Sequence, residues 1–289
     1  AALSSRGIGD DLQKLLASNN MAPSVSLVAL PGFCKPEDLH VDARDENPSP
    51  IGVAVSGNPG GIELVQKGFA RVQDQGSQLV TLALAEAGIE TEDRNWLDVC
   101  AGPGGKAALL AALSLTSGTS LVANEVSKHR ADLVSKSLKP LGTFELRTSD
   151  GREFGNQDKR YSRILLDAPC TGLGALRRRP ESRWRRTTDD LVDLVKLQRE
   201  LLESAWKALE PGGVLAYMTC SPHLSETTAQ ISWAQGKFKD KLELVNANSI
   251  LNSINPHLGL DEELFTAQLW PHVHGTDAMF LALMRKSVN

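Results

Sequence analysis

The chain is poor in cysteine and histidine. Its 289 residues include 4 cysteines and 6 histidines, and the cysteines at positions 34, 100, 170 and 220 lie far apart along the sequence. No two of them have the close spacing of metal ligands, and a chain of this length is not a disulfide-stapled scaffold. We therefore expect no metal site, and thiols that remain reduced in the cytoplasm.

Long apolar runs are missing as well. No stretch approaches the ~20 apolar residues that a membrane-spanning helix needs, so we do not expect a membrane protein. The sequence begins Ala-Ala-Leu-Ser-Ser-Arg, without an initiator methionine and without the basic-then-apolar pattern of a secretion signal. We expect a piece of a longer protein, and we expect it to be a monomer. A hydrophobic content of 41% is enough for a substantial core.

An excess of positive charge is absent from the chain as a whole but present in one segment. The net charge is −4, whereas residues 177–186 carry about +5. This segment contains Arg177, Arg178, Arg179, Arg183, Trp184, Arg185 and Arg186. A basic segment on an otherwise acidic protein is a candidate site for nucleic-acid phosphates, and Trp184 could stack on a base. The alternatives are a solvated charge run for the arginines and simple packing for Trp184.

The second part of the sequence alternates between strand and helix patterns. Strands are predicted over 95–99, 119–124, 143–148, 161–167, 213–218, 241–246 and 278–285. Helices are predicted over 77–88, 104–114, 127–139, 188–209 and 224–235. This alternation predicts an α/β fold, with a mostly parallel seven-stranded sheet and helices on both of its faces. Sites on such sheets lie at the carboxyl ends of the strands.

The first part of the sequence is smaller. The predicted elements are a helix over 9–18, strands over 24–30 and 51–55, and a loop over 31–50. So few elements rarely fold alone. We therefore predict two domains, residues 1–70 and residues 71–289, with the first packed on the second.

A glycine-rich turn follows the first strand of the alternating part. It joins strand 95–99 to helix 104–114 and reads Cys100-Ala101-Gly102-Pro103-Gly104-Gly105-Lys106. Glycine allows a ligand to approach the backbone, and the start of a helix offers unpaired N–H groups. The spacing fits neither the dinucleotide fingerprint nor a Walker A loop. The turn therefore predicts a site for a different nucleoside cofactor.

Acidic residues end the next two strands. Glu125 is placed to hold both ribose hydroxyls of a nucleoside, and Asp150 to accept a hydrogen bond from an adenine amino group. No second phosphate cradle is visible, which favours S-adenosylmethionine over a dinucleotide as the cofactor. Ordinary strand-end turn residues are the alternative interpretation.

Two of the cysteines, Cys170 and Cys220, each follow a strand of the predicted sheet. Cys170 lies in Asp-Ala-Pro-Cys-Thr-Gly, and Cys220 lies in Tyr-Met-Thr-Cys-Ser-Pro. A free cysteine is usually a small buried hydrophobic residue, and that interpretation suits Cys34 and Cys100. A thiol at a strand end near Lys106 or the arginines would ionise more readily. Such a thiolate could add to C6 of a pyrimidine and make C5 nucleophilic enough to accept a methyl group.

Together these strings resemble one family, the RNA 5-methylcytosine methyltransferases of the NOL1/NOP2/Sun group, and within it the bacterial ribosomal RNA small-subunit methyltransferase B type. The resemblance rests on the turn 100–106, Ala-Asn-Glu at 123–125, Ser-Asp-Gly at 149–151 and the two cysteine strings. The arginine-rich segment and the segments 72–77 and 274–280 also resemble family segments. The match covers most of the chain.

The resemblance implies a class I, Rossmann-like S-adenosylmethionine-dependent methyltransferase, preceded at 1–70 by a small α+β RNA-recognition-like subdomain. It assigns Cys220 as the covalent nucleophile and Cys170 as the residue that assists release. It implies that Asp167 contacts the cytosine and the cofactor, and that Lys106 orients the target base. The implied substrate is ribosomal RNA, methylated at cytosine C5. The helical domain that begins the bacterial type has no counterpart in this sequence.

The sequence departs from the family pattern at several positions. Gly102 replaces a usual Ala, Glu125 a usual Asp and Met218 a usual Ser, and residues 225–227 read Ser-Glu-Thr in place of a more acidic string. Transfer RNA is an alternative substrate, and a catalytically idle RNA-binding assembly factor is an alternative function. The retained thiols and cofactor turn argue against an idle protein. A small-molecule methyltransferase would explain neither the arginines nor the first domain.

Overall fold

The chain folds around two β-sheets, one small and one large. A computed structural model describes residues 1–41 and 49–288. Residues 42–48 of the predicted loop 31–50 lie outside the described part of the chain. Among the described residues, no helix combines the length and the apolar character that crossing a membrane requires.

The small sheet is built by the first part of the sequence. Its strands are β1 (Val25–Ala29), β2 (Gly52–Val55) and β3 (Ala70–Val72), and the same part of the sequence also contains the helices α1 (Leu12–Ser18) and α2 (Glu63–Gln66). β1 lies between β2 and β3, and both pairs are antiparallel. Leu27, Val53 and Val55 lie in the apolar core of this part. Sequence patterns predict no strand at β3, because three residues are too few to show an alternation.

The large sheet has the predicted α/β topology. Its strands are β4 (Asn95–Asp98), β5 (Ser120–Asn124), β6 (Glu145–Arg147), β7 (Tyr161–Asp167), β8 (Leu209–Thr219), β9 (Leu242–Val245), β10 (Ala267–Gln268) and β11 (Phe280–Lys286). They lie in the order β10-β11-β8-β7-β4-β5-β6, and β9 also pairs with β11. Among the described strands of this sheet, β4 to β8 pair in parallel, whereas β11 is antiparallel to each of its neighbours β8, β9 and β10. The seven predicted strands are confirmed, and the two-residue β10 is an unpredicted eighth.

Helices cover both faces of the large sheet, as predicted. They are α3 (Gln75–Glu86), α4 (Gly105–Thr116), α5 (Lys128–Leu138), α6 (Ser182–Arg185), α7 (Thr188–Ala208), α8 (Thr228–Phe238), α9 (Ala247–Ile254) and α10 (Pro271–His274). Leu79 of α3, Leu109 of α4 and Leu251 of α9 share one apolar core, whereas Leu201 of α7 and Ile231 of α8 lie in another. Successive residues of β8 alternate between the two cores, as expected for a strand that is buried on both faces.

The predicted helix 224–235 is interrupted near its start. A short 3₁₀ turn at Leu224–Glu226 precedes α8. Thr227, between them, has φ −125° and ψ −106°, which lies outside the helical region. A continuous helix therefore cannot form, and Glu226 turns back toward the loop that follows β7.

Glutamine side chains of α3 attach the small sheet to the large one. Gln78 is buried, and its amide donates to the carbonyl oxygens of Leu27 at 3.2 Å and Gln73 at 2.9 Å. The side-chain oxygen of Gln75 accepts from the backbone N–H of Ser49 at 2.9 Å. Because an unpaired buried amide would be costly, these contacts fix the small sheet against α3.

Candidate active site

The turn after β4 carries a fully buried carboxyl group. Asp98, the last residue of β4, has no exposed surface. Its Oδ1 accepts a hydrogen bond from the backbone N–H of Cys100 at 3.3 Å, and its Oδ2 has no partner among the described residues. Burial, reinforced by the nearby charge of Asp167, raises the pKa of Asp98 to about 8. Asp98 is therefore mostly protonated near neutral pH and can still form a hydrogen bond with a ligand.

The glycines of the turn are needed for different reasons. Gly104 has φ +116°, and a Cβ there would lie 2.5 Å from Oγ of Ser137. A Cβ on Gly102 would overlap the carboxylate of Glu125. A Cβ on Gly105 would meet no atom within 4 Å. Packing therefore requires the first two glycines, and Gly105 opens the start of α4 onto space where a ligand can approach the backbone.

Glu125 lies against the glycine turn. Its Oε2 accepts from the backbone N–H of Gly102 at 3.1 Å, and its Oε1 accepts from that of Ser127 at 3.0 Å. Arg130 covers the carboxylate, with Nη1 at 3.5 Å from Oε2, and also donates to the carbonyl oxygen of Gly102. Each carboxylate oxygen has two lone pairs, so Glu125 keeps capacity to accept further hydrogen bonds.

The two departures from the pattern that the resemblance implies lie against each other in this turn. The resemblance implies Ala at position 102 and Asp at position 125. In this protein the longer side chain of Glu125 occupies the space that a methyl group at position 102 would fill. The methyl group that Gly102 lacks therefore offsets the extra methylene of Glu125, so the packed volume stays nearly constant.

Asn124 ties the ends of neighbouring strands together. Its Nδ2 donates to the carbonyl oxygens of Val99 at 3.0 Å and Ser149 at 3.1 Å, and its Oδ1 accepts from the hydroxyl of Ser149 at 2.9 Å. Asp150 follows Ser149, but its carboxylate is paired with Arg152, whose Nη2 is 2.6 Å from Oδ2. An adenine amino group would share Asp150 with Arg152. Sequence reasoning gave Asn124 no separate role, although a polar residue at the end of a buried strand was a usable signal.

The two thiols predicted to act in catalysis lie side by side. Cys170 and Cys220 follow β7 and β8, which are adjacent parallel strands, and their Sγ atoms are 3.5 Å apart. Lys106 reaches the same region from the first turn of α4, and its Nζ is 2.9 Å from Oδ2 of Asp167. The four residues that the sequence assigns to catalysis therefore form one cluster at the carboxyl end of the sheet.

The surroundings distinguish the two thiols. A hydrogen bond from Cys170, helped by the charge of Lys106, holds the pKa of Cys220 below its ordinary value against the opposing effects of burial and Asp167. The same hydrogen bond, together with burial, raises the pKa of Cys170 well above its ordinary value. Burial works to lower the pKa of Lys106, but Asp167 outweighs it and the pKa is raised. Of the two thiols, Cys220 is therefore the one that loses its proton more readily, and Cys170 the one that keeps it.

The other two thiols, Cys34 and Cys100, ionise less readily. Burial raises the pKa of Cys34, whose Sγ donates to the carbonyl oxygen of Phe69 at 3.1 Å. Burial also raises the pKa of Cys100 well above its ordinary value. Both therefore fit the predicted role of small packing residues. In the described part of the chain, no three His, Cys, Asp or Glu side chains are grouped so that they could hold a metal ion.

The first two arginines of the basic segment are held by carboxylates. Arg177, whose side chain is 8% exposed, lies 2.7 Å from Asp277 and 3.1 Å from Asp74. Arg178 pairs with the same two carboxylates. Asp74 also caps the start of α3, so these ion pairs join α3 to the loop after β7 and to the chain after α10. The contacts give Arg177 and Arg178 a structural role in the fold, and their contact with RNA stays a prediction.

The middle of the segment is exposed. Trp184 has 77% of its surface exposed, so it does not pack under the arginines. Arg179 and Arg185 are exposed as well. An exposed aromatic ring between cations is a suitable surface for single-stranded nucleic acid.

Two further arginines fix this surface to the protein. Arg183 donates to the carbonyl oxygen of Asn19 at 2.8 Å, and Arg186 donates to that of Thr171 at 3.3 Å. Thr171 directly follows Cys170. Arg186 therefore anchors this surface to the residue that follows the first thiol.

The parallel sheet, the glycine turn after β4 and the acidic residues that follow it define a class I S-adenosylmethionine-dependent methyltransferase fold. A family model described as 16S rRNA methyltransferase RsmB/F matches residues 85–285. The chain belongs to this family, as its motifs predict.

Relatives with longer chains resemble the protein over most of its length. The Mycobacterium tuberculosis methyltransferase MT1451 is 45% identical over 279 residues, which cover 96% of this chain and 60% of that protein. Ribosomal RNA small subunit methyltransferase B of Photorhabdus laumondii is 33% identical over 224 residues, which cover 76% of this chain and 48% of that protein. The chain thus spans 48–60% of the length of these relatives.

Two solved archaeal structures share the fold. A methyltransferase homologue from Pyrococcus horikoshii has a TM-score of 0.76 and 25% identity, and the match covers 96% of this chain and 91% of that one. NSun6 from Pyrococcus horikoshii, solved with SFG, has a TM-score of 0.65 and 27% identity, and the match covers 83% of this chain and 58% of that one. The likeness includes the small N-terminal sheet as well as the large one, because 96% of the chain superposes on the first structure.

Proposed function

We propose that the protein methylates C5 of a cytosine in RNA, with 16S ribosomal RNA as the substrate, through a covalent adduct between Cys220 and C6 of the base. The observation that carries this proposal is the pair of Sγ atoms 3.5 Å apart, held beside the Lys106–Asp167 ion pair. Nitrogen and oxygen atoms already offer a lone pair to a methyl donor, whereas a ring carbon must first be made nucleophilic. The relatives named for small-subunit ribosomal RNA support this substrate, which also implies a cytoplasmic protein.

The cofactor is S-adenosylmethionine, which supplies an electrophilic methyl group when bound. Membership of the family and the archaeal relative solved with the S-adenosylmethionine analogue SFG support this assignment. The residues of the turn fit it. Gly105 leaves open space at the start of α4, the carboxylate of Glu125 beside the turn would hold the ribose hydroxyls, and Asp98 has a buried oxygen without a partner among the described residues. Asp150 would accept from the adenine amino group.

The thiolate of Cys220 begins the reaction. Its Sγ bonds to C6 of the cytosine, and the π electrons of the C5–C6 double bond move onto C5 and the conjugated ring. Lys106 stays protonated beside Asp167, so its charge can stabilise the electron density that develops on the ring. C5 then carries the electron pair that takes the methyl group.

Cys170 completes the reaction after methyl transfer. The hydrogen bond with Cys220 is the largest of the effects that raise the pKa of Cys170. Once Sγ of Cys220 is bonded to C6, this effect is lost, and Cys170 can release its proton to solvent. The Cys170 thiolate then removes the proton from C5, the C–H electrons restore the C5–C6 double bond, and the C6–Sγ bond breaks. Cys220 leaves as a thiolate and Cys170 is protonated again, which restores the starting state.

The exposed part of the basic segment would hold the RNA. Arg179 and Arg185 are exposed and would contact phosphates, and the exposed Trp184 would stack on a base near the target. The small domain, residues 1–70, would add RNA contacts of its own. Since the surface lies next to the loop of Cys170, RNA bound there would present its unpaired bases to the thiols.

Trapping of the adduct tests this mechanism. Given RNA and cofactor, Cys170→Ala should attack and methylate but fail to release, and should leave a protein–RNA adduct that survives denaturing electrophoresis. Cys220→Ser should form neither adduct nor product, because a hydroxyl is almost never ionised near neutral pH. Cys34→Ser removes a thiol of the small domain and is the matched control, which should behave as the unmodified protein does.

Three other outcomes would contradict the proposed thiol roles, the methyltransferase activity or the 16S substrate. An adduct in Cys220→Ser that is absent in Cys170→Ala would reverse the two roles. Cofactor binding without product or adduct in any form of the protein would favour the idle RNA-binding factor. Bisulfite sequencing of RNA from a strain that lacks the gene identifies the substrate, since a lost methylcytosine in transfer RNA alone would exclude 16S RNA.

A further inference from the structure

A buried carboxylate contacts the loop of the first thiol. Glu226 has no exposed surface. Its carboxylate accepts from the backbone N–H of Thr171 at 2.8 Å, from the hydroxyl of Thr171 at 2.5 Å and from the side-chain amide of Gln198 at 3.1 Å. All three donors are uncharged. Thr171 directly follows Cys170, so Glu226 holds the loop that carries this thiol.

Two hydroxyl groups extend the contact to the loop of the second thiol. Oγ of Ser221, the residue after Cys220, is 3.2 Å from Oγ1 of Thr171. Ser221 already accepts from the backbone N–H of His223 at 3.1 Å, so its own proton can be donated to Thr171. Thr171 donates in turn to Glu226. The residues that follow both cysteines are therefore linked to a single carboxylate.

Gln198 of α7 fixes the far side of this network. Its Nε2 donates to the carbonyl oxygen of Pro169 at 2.9 Å as well as to Glu226. The hydroxyl of Tyr217 donates to the backbone carbonyl of Glu226 at 2.9 Å. A buried network of this kind is rigid, because any displacement leaves a polar group without its partner.

We propose that Glu226 is a positioning residue of the reaction: it holds Cys170 beside Cys220, and its charge directs the proton of the thiol pair to Cys170. This role rests on the proposed function of the two thiols. A buried carboxylate that meets only uncharged donors destabilises a fold relative to a neutral side chain of the same size. A role in the reaction gives a reason for its charge.

The other groups around Cys170 cannot replace this charge. Besides its hydrogen bond with Cys220 and its burial, the charges of Cys220, Glu226 and Asp167 raise the pKa of Cys170. Cys220 carries a charge only when the shared proton lies on Cys170, so its charge cannot itself decide which thiol keeps the proton. Asp167 is neutralised by Lys106 at 2.9 Å, whereas Glu226 meets no cation among its contacts. Burial raises the pKa of the neighbouring Tyr217 phenol well above its ordinary value, so it stays neutral.

Glu226→Gln removes the charge and can keep each contact of the carboxylate. Its side-chain oxygen can accept from the N–H of Thr171 and from Gln198. Its amide can donate to the hydroxyl of Thr171, whose own proton then turns toward Ser221. The variant is therefore expected to fold, and it isolates the effect of the charge.

The measurement is the pH dependence of alkylation of each thiol by iodoacetamide, followed peptide by peptide with mass spectrometry. In Glu226→Gln the profile of Cys170 should move to lower pH, and at a fixed pH below its midpoint the rate should rise on the order of tenfold. Glu203→Gln removes a surface carboxylate of α7 that pairs with Lys207, and is the matched control without a shift. Superimposable Cys170 profiles in the unmodified protein and in folded Glu226→Gln would overturn the charge effect.

Glu226→Asp tests position separately from charge. It keeps the negative charge but withdraws the carboxylate by one methylene, so the alkylation profile of Cys170 should remain while turnover on RNA falls about tenfold or more. Turnover of Glu226→Asp equal to that of the unmodified protein would overturn the positioning role. This test holds even if Glu226→Gln does not fold. Alkylation needs neither RNA nor cofactor. Its outcome therefore stands apart from the proposed function, which the adduct experiment tests.

Discussion

Replacing Asp98 by Asn should stabilise the protein progressively as the pH rises from acidic to neutral, because Asp98 is buried in its protonated form. Asp98 has no exposed surface, and its Oδ1 accepts from the N–H of Cys100. An asparagine amide has nearly the shape of a protonated carboxyl group, and its oxygen can keep this hydrogen bond. The substitution therefore removes the titration of the side chain and changes little else.

The sign and size of the effect follow from the raised pKa. Asp98 loses its proton near pH 3.8 in the unfolded chain and near pH 8 in the folded protein, where burial and then the charge of Asp167 oppose its ionisation. Between these values folding binds a proton. The contribution of Asp98 to the free energy of unfolding is therefore fully present below pH 3.8, falls as the pH rises, and is lost above about pH 8. One pH unit corresponds to about 1.4 kcal/mol, so about 3 kcal/mol is lost between pH 5 and pH 7.

Urea unfolding of Asp98→Asn and of the unmodified protein at pH 5, 7 and 9 measures this difference. The free energy of unfolding of the variant, minus that of the unmodified protein, should rise by about 3 kcal/mol from pH 5 to pH 7 and level off above pH 8. Asp193→Asn makes the same exchange at an exposed position of α7 and serves as the matched control. A difference for Asp98→Asn that is the same at all three pH values would refute the raised pKa.

Two further predictions concern the ligands. Gly102→Ala should weaken S-adenosylmethionine binding, measured by calorimetry, by roughly 1–3 kcal/mol, because the added methyl group overlaps the carboxylate of Glu125. Adding Glu125→Asp should recover most of this binding free energy, and strictly additive losses from the two substitutions would contradict the coupling. The double variant Arg179→Gln with Arg185→Gln should make the slope of log affinity for single-stranded RNA against log salt concentration shallower by about 0.7 per lost phosphate contact. Neutralising the lysines of 239–241, beside the start of β9, is the control and should leave this slope unchanged. Equal slopes in the double variant and the unmodified protein would favour a solvated charge run.

The large sheet could be predicted because local pattern and topology agree there. Apolar strands alternate with amphipathic helices, and parallel strands place their carboxyl ends along one edge. That rule alone brings Lys106, Asp167, Cys170 and Cys220 together from separate parts of the sequence, and their cluster in the structure follows it. The strands β3 and β10 escaped prediction because three and two residues carry no periodicity.

The arginine-rich segment has contacts that the sequence alone does not reveal. A run of positive charge is visible along the chain, but the carboxylates that neutralise it are not. Arg177 meets Asp277 and Asp74 across 100 and 103 residues of sequence. Non-local ion pairs leave no spacing signal, so structural arginines and exposed ones look alike until the fold is known. The exposure of Trp184, which decides between stacking and packing, is hidden for the same reason.

Under the proposed function, the charges near the thiol pair would favour the methyl donor over the spent cofactor. Asp167 pairs with Lys106 at 2.9 Å, and the buried Asp98, whose pKa is raised to about 8, keeps its proton near neutral pH. Of the two paired thiols, Cys220 is the one whose pKa is lowered, so it is the one that would carry the reacting charge. The sulfonium of S-adenosylmethionine is positively charged and the thioether left after transfer is neutral, so a thiolate at Cys220 would attract the reactant and not the product.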